Sequence, residues 1–259
     1  TSVTGAPFFT YATMHDNNLR LGCLDSMLSQ KAWNTQLPYT YNPANVSTAD
    51  SQTEFEKTFA IKAITMGKSA NTLQLVQRGA IGAAMNNTNL NTGEIFKTHH
   101  SIRNVLDRMT STNILGKNQN VFDPTFKVAD KPVDEYDSHV FHTVTSTGTY
   151  GRRKSYHDEY DASKFKKKLE SKSVLNHLYK NMLNITVEGA GLIIAKASVG
   201  DIVNLKVAND NVENSSDSTE EDLIDKAKSG DFIIYDTRHT FSGTSHKVSM
   251  NLCKMEKLP

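Results

Sequence analysis

Residues 184–207 read NITVEGAGLIIAKASVGDIVNLKV, and residues 230–256 read GDFIIYDTRHTFSGTSHKVSMNLCKME. Each block reads as strand, turn, strand. In the first, a turn at Gly189-Ala190-Gly191 and a tight bend at Gly200-Asp201 punctuate apolar alternation. In the second, Val248, Met250 and Leu252 alternate with Lys247, Ser249 and Asn251. Strict alternation puts one set of side chains on each face of a strand, so this pattern predicts half-buried strands with a shared apolar face. Two such blocks separated by a polar insert predict the closing half of a β-barrel. Its partner strands are expected near residues 55–65 and 79–99.

Working upstream, 161–182 is the strongest helical signal. Phe165, Leu169, Val174, Leu178 and Met182 recur at helical spacing, with Leu175 and Tyr179 widening the stripe. Lys164, Lys166, Lys167, Lys168, Lys172 and Lys180 fall on the expected exposed face. Between the two barrel blocks, 209–229 carries Asp210, Glu213, Asp217, Glu220, Glu221, Asp222 and Asp225 among Asn and Ser, the composition of a solvated loop.

The N-terminal half is β-prone in pieces. Residues 7–13 are a strand signal, 15–18 a turn, and Leu19, Leu21, Leu24, Met27 and Leu28 a short strand followed by a helical turn. Residues 38–50 look like a linker packed down by Trp33, Tyr39 and Tyr41. Phe55, Phe59, Ile61 and Ile64 mark a second β run. A helix is predicted over 66–78 with Leu73 and Val76 inward, then a hairpin of 79–85 and 94–99, then a short helix over 101–109 capped by Ser101. Residues 111–162 have weak periodicity apart from the alternating stretch 138–145, and are expected to form an insertion or extended arm.

The chain has 259 residues, 37% hydrophobic and 22% charged, with 29 basic and 28 acidic residues. That is enough for a packed core, and the polar excess in Asn, Ser and Thr suits loop-rich β structure. A net charge of +1 gives no global field for nucleic acid or an anionic membrane. No secretory signal pattern is present, and the apolar run 192–195 is too short to span a bilayer. The basic cluster over 152–168 suits a solvated helix face, with an acidic partner or a phosphate backbone as the alternative. Cys23 and Cys253 stand far apart without a CxxC partner, so two free thiols are expected, with one disulfide between them left open.

Candidate chemistry is sparse. Adjacent His99 and His100 on a strand point to opposite faces, and so do His139 and His142 in an extended stretch, so neither pair suits one metal ion. The run 157–161 holds ligand-type side chains but no metal-site spacing, and reads as a helix N-terminus with Asp161 or Ser163 capping. Gly189, Gly191 and Gly200 miss the GxGxxG spacing of a dinucleotide loop. No GxSxG elbow is present. The expectation is a protein that is not an enzyme, with no cofactor, no metal and no catalytic residue set.

The C-terminal block resembles the end of the central baseplate hub proteins of contractile-tailed bacteriophages, related to type VI secretion spike hubs. The matching residues are 183–187, Gly189, Gly200-Asp201-Ile202-Val203, Gly230-Asp231-Phe232-Ile233-Ile234 and Arg238-His239. Residues 7–28 look like the family's aromatic strand and following segment, with Asn17-Asn18 where a glycine is usual. The resemblance covers roughly two thirds of the chain, carried by structural glycines and the order of the motifs. It leaves 110–160 unmatched.

The resemblance implies a mainly β fold with some helix, an α+β arrangement being the alternative. Residues 1–50 would be the end of an intermediate domain plus linker. Residues 51–259 would be a tube-type β-barrel domain, with 101–160 as an inserted arm. A further tube domain would precede Thr1. It implies a structural subunit of a virion tail baseplate, assembled in the host cytoplasm. As a homotrimer it would form a ring adapting a three-fold spike to a six-fold tail tube. Its partners would be the spike or cell-puncturing protein, the tail tube protein, the tape measure protein and baseplate wedge proteins. DNA would only pass through the channel, and no membrane insertion is expected. Gly200, Asp201, Gly230, Asp231, Arg238 and His239 become candidate interface or barrel-strand residues, and the Lys-rich helix face is expected to point outward or be offset by acids. Rival expectations are a hub fused to a peptidoglycan-cleaving enzyme and a peripheral receptor-binding module.

Overall fold

The computed structural model describes residues 5–16, 18–41, 57–69, 72–90, 93–108, 127–145, 162–208, 224–225 and 228–254. Their strands are β1 (Phe8–Ala12), β2 (Leu19–Cys23), β3 (Tyr39–Tyr41), β4 (Ile61–Ser69), β5 (Gly82–Asn89), β6 (Ile95–Ser101), β7 (Lys127–Val128), β8 (Lys131–Pro132), β9 (Val140–Thr145), β10 (Asn181–Glu188), β11 (Ile202–Val207), β12 (Gly230–Ser242) and β13 (Ser245–Cys253). The helices are α1 (Leu24–Leu28), α2 (Thr72–Gln77), α3 (Ile102–Arg108), α4 (Ala162–Leu178) and α5 (Ala190–Ala195). The fold is mainly β with some helix.

Six strands form one sheet in the order β3-β11-β12-β13-β10-β4. Its two ends meet, because Thr40 forms a parallel bridge with Ala60, and its N–H reaches the Phe59 carbonyl at 3.0 Å. The result is a small, nearly closed barrel. In β13 the alternation works as the sequence suggests: Val248, Met250 and Leu252 are fully buried inside it. Leu183, Ile185 and Val187 of β10, Val203 and Leu205 of β11, and Phe232 and Ile234 of β12 complete the interior. Such a barrel is wide enough only for side chains, so its interior is a packed core.

The opposite face of the same strands is also used. Ile202, Ile233 and Cys253 point outward and pack with Leu24, Met27 and Leu28 of α1 and with Val174 and Leu178 of α4. Nearer its N-terminus, α4 puts Leu169 against Ala83 and Met85 of a separate three-stranded sheet, ordered β6-β5-β9. One helix thus joins the barrel wall to a second sheet, and the stripe Leu169, Val174, Leu178 has two different partners along its length.

Several expectations are corrected. The barrel partners are 61–69 and the short β3; the hairpin β5–β6 belongs to the second sheet. Tyr39–Tyr41, expected in a linker, is the barrel's seam strand, and the rest of that linker lies outside the described residues. The helix expected over 66–78 is only Thr72–Gln77, because Met66 continues β4; Leu75 faces inward while Leu73 is exposed. The run 190–195 is helical and places buried Leu192 in the barrel core. Lys180 is buried, not on the exposed face of α4. Within the expected arm, β9 pairs parallel with β5. Cys23 and Cys253 are free thiols, and burial pushes that of Cys253 up to about 12. Among the described residues no helix is long and apolar enough to cross a membrane.

Candidate functional site

The two Gly-Asp pairs sit at opposite ends of the β11–β12 ladder. Gly200 has φ +92° and donates its N–H to the Ile234 carbonyl at 2.8 Å, while Ile234 returns its N–H to the Asp201 carbonyl at 2.9 Å. A Cβ on Gly200 would meet Tyr11 and Met27 at 3.2–3.3 Å, so both the backbone conformation and the packing require glycine. Asp201 Oδ2 accepts the Ser198 N–H at 2.7 Å and closes the bend; burial raises its carboxyl above the ordinary range even against that hydrogen bond. At the other end, Gly230 has φ +104°, and Asp231 Oδ1 accepts from Asn204 Nδ2 at 2.6 Å. These four residues shape the ladder.

Arg238 and His239 lie farther along β12, past the reach of its neighbour. β11 pairs with β12 only over Gly230–Ile233, whereas β13 follows it to Ser242. Among the described residues, 236–242 therefore has a strand on one side only. This free edge is seven residues, roughly 24 Å at the usual strand rise. Such an edge offers a row of main-chain donors and acceptors to another strand. Arg238, Thr240, Phe241 and Ser242 along it are exposed, Phe241 by 66%.

A β-bulge creates the change of environment. Ile234 pairs with Leu252, but Asp236 pairs with Asn251, so Tyr235 is an extra residue. Past the bulge, Thr237 and His239 take over the face of Phe232 and Ile234, pairing with the buried Met250 and Val248, and exposed Phe241 follows on that face opposite His246. Tyr235 turns out of the wall and meets Tyr179 edge-on, with ring centroids 5.1 Å apart. Burial and the hydrogen bond with Tyr235 push the Tyr179 phenol upward. Bulges re-aim side chains in this way. Beside them a cleft of about 380 Å³ opens between β1, the end of α4 and β12, lined by Phe9, Tyr11, Leu178, Tyr179, Tyr235 and Asp236 among others.

A second exposed surface is the outer face of the β1–β2 hairpin. Phe8, Leu19 and Leu21 share that face by register and are 47%, 74% and 70% exposed. The opposite face, carrying Phe9 and Tyr11, packs into the core. The sequence carries this signal, because Phe8, Leu19 and Leu21 fall on one face of the hairpin while Phe9 and Tyr11 fall on the other.

The histidine pairs behave as strand geometry demands. His99 is exposed and meets Asp137 at 2.6 Å, while His100 is buried against α4. His139 instead packs on Phe141. The Ser101 hydroxyl donates to Asp134 at 2.6 Å. Among the described residues no group of three His, Cys, Asp or Glu is placed to hold a metal. The run 157–161 and most of the acidic segment 209–229 fall outside the described residues. Of Lys164 to Lys172, Lys172 stands 4.2 Å over the Phe141 ring. Compared with protein-family models and with curated proteins, the chain matches none.

Proposed function

We propose that this chain is a structural, non-enzymatic subunit of a phage tail baseplate hub, in which barrels of neighbouring subunits join through sheet extension into a ring around the tail axis. The observation that carries the reading is the free edge at 236–242, on the longest strand of a nearly closed barrel. A closed barrel has no edge to offer, and here one strand runs past its neighbour. The apolar outer face of the β1–β2 hairpin supports the same reading, since surfaces of that kind mark contacts between proteins. In this role the chain would form a homotrimer and contact a spike, the tail tube, the tape measure and wedge proteins, with DNA passing through the channel and the virion baseplate as its location.

The test is the mass and shape of the purified protein by light scattering and negative-stain microscopy. The expected result is a hollow three-fold ring. A double variant, Thr240→Lys with Ser242→Lys, puts charge on the edge in the manner by which natural edges resist pairing. It is expected to give monomers with unchanged β content. A wild-type monomer at all concentrations would sink the proposal.

A further inference from the structure

We propose that His239 and His246 form a proton-sharing pair that ties the tip of the β12–β13 ribbon together at neutral pH and unties it in acid. The two residues are diagonal neighbours on one face of the ribbon, since His239 pairs with Val248 and His246 with Phe241. Nδ1 of His239 stands 3.0 Å from Nε2 of His246. The ring centroids are 5.3 Å apart and the planes differ by 21°. The centroid separation is about the nitrogen–nitrogen distance plus the two ring radii, so the nitrogens face each other along the line of centres. Only one of them can carry a proton in that gap.

Proton counting fixes when the tie breaks. Two neutral imidazoles hold two protons on four nitrogens, one of them in the gap as N–H···N. A third proton goes to an outer nitrogen, and the bond in the gap survives and becomes charge-assisted. A fourth forces two N–H groups to oppose each other, and the rings must part. His246 has little freedom to yield. It stacks on Phe241 at 4.2 Å and 8°, and a Cβ on Gly189 would overlap its ring. His239 must therefore swing away, toward the solvent that both half-buried rings already meet.

The surroundings favour a low second step. Burial, His246 and His15 hold His239 below the ordinary imidazole range near 6.5. His15 comes from the β1–β2 connection, where its Nε2 lies 3.3 Å from the Ala197 carbonyl just beyond α5. Beyond it stand Asp201 and the Asp16–Arg20 ion pair. On the ribbon itself, Arg238 and Lys247 are the neighbouring charged residues in sequence.

The experiment uses the full chain. Nitrogen-15 imidazole shifts of the wild type are expected to show the pair taking up its two protons in steps at least one pH unit apart. Hydrogen-exchange protection of amides 239–246, corrected for intrinsic rates, is expected to fall at least tenfold from pH 7 to pH 4. In His239→Gln and in His246→Gln that fall should vanish, with His142→Gln behaving as wild type. A common midpoint for both rings, or an equal loss of protection in the Gln variants, overturns the proposal. The imidazole shifts decide it even where a variant fails to fold.

Discussion

Asn34 and Asn204 are joined by two hydrogen bonds running in opposite directions. Asn34 Nδ2 donates to the Asn204 carbonyl at 2.9 Å, and the Asn204 N–H donates to Asn34 Oδ1 at 2.6 Å. A side-chain amide presents an N–H donor beside a C=O acceptor, as a strand's main chain does, so Asn34 stands in for a strand residue beside β11. The Trp33 N–H continues the pattern by reaching the Ile202 carbonyl at 3.1 Å. The short β3 then takes over from Leu205. A three-residue strand can line a six-residue neighbour because a side chain extends it.

Asn34→Ala should therefore be costly for a polar residue. It removes both bonds and leaves the main chain of β11 unmatched in a place where Asn34 is 4% exposed. About 2–4 kcal/mol is expected from the two lost bonds and the desolvated groups. Urea denaturation checks it. A loss under about 0.5 kcal/mol would mean that water replaces the amide.

Gly200→Ala and Gly93→Ala separate strain from crowding. Both glycines have positive φ, +92° and +71°, but Gly93 has nothing within 4 Å of a Cβ while Gly200 meets Tyr11 and Met27. Gly93→Ala is expected to cost about 1 kcal/mol from the backbone alone. Gly200→Ala should cost at least about 1 kcal/mol more, because overpacking adds to that strain. Equal losses in thermal melts would refute the crowding argument.

Met250→Ala should cost about 2–5 kcal/mol, since the side chain is fully buried within the barrel and its loss leaves a cavity. Met66→Ala, at 62% exposure on β4, should change stability by no more than about 0.5 kcal/mol. Comparing the two midpoints in guanidinium tests whether the barrel interior is the main core.

His100 predicts acid sensitivity. Burial, with the nearby charges of His99, Lys166 and Arg108, pushes its imidazole down to about 3. Arg108 is itself ion-paired to buried Glu170 at 2.6 Å. The folded state keeps the ring neutral, while the unfolded chain takes up a proton near pH 6.5. The contribution to stability is complete above about pH 6.5 and is lost as pH falls toward 3, at up to about 1.4 kcal/mol per pH unit. His100→Leu should flatten that slope between pH 6 and 4. An unchanged slope would show that His100 is not the responsible group.

The parts legible in the sequence were those whose own side chains state their environment. Val248, Met250 and Leu252 announce a strand with one buried face, and Leu169, Val174 and Leu178 announce a helix. The run Ala190–Ala195 was opaque for the opposite reason. A short apolar stretch has no period to separate strand from helix, and here the barrel end decided it. Nor does periodicity reveal pairing. β3 joins β11 from more than 160 positions away, and nothing in Tyr39–Tyr41 records that partner. Of the candidate site, the Gly-Asp turns and Arg238-His239 were visible as motifs. The free edge was not, because an edge is defined by the strand that fails to continue beside it. The bulge at Tyr235 did leave a trace: the inward residues change from even to odd numbers along β12.

The seam between Thr40 and Ala60 has a consequence for synthesis. β3 precedes the strand that holds its other side, β11, by more than 160 residues, and the β12–β13 ribbon that completes the wall follows later still. At roughly 5–20 residues per second, a ribosome needs about 10–40 s to pass from Tyr41 to Cys253. Throughout that interval the wall that links β3 to β4 the long way round is incomplete. The barrel cannot close before β13 has been made, and a nascent chain stalled before β12 would lack the wall that covers its seam.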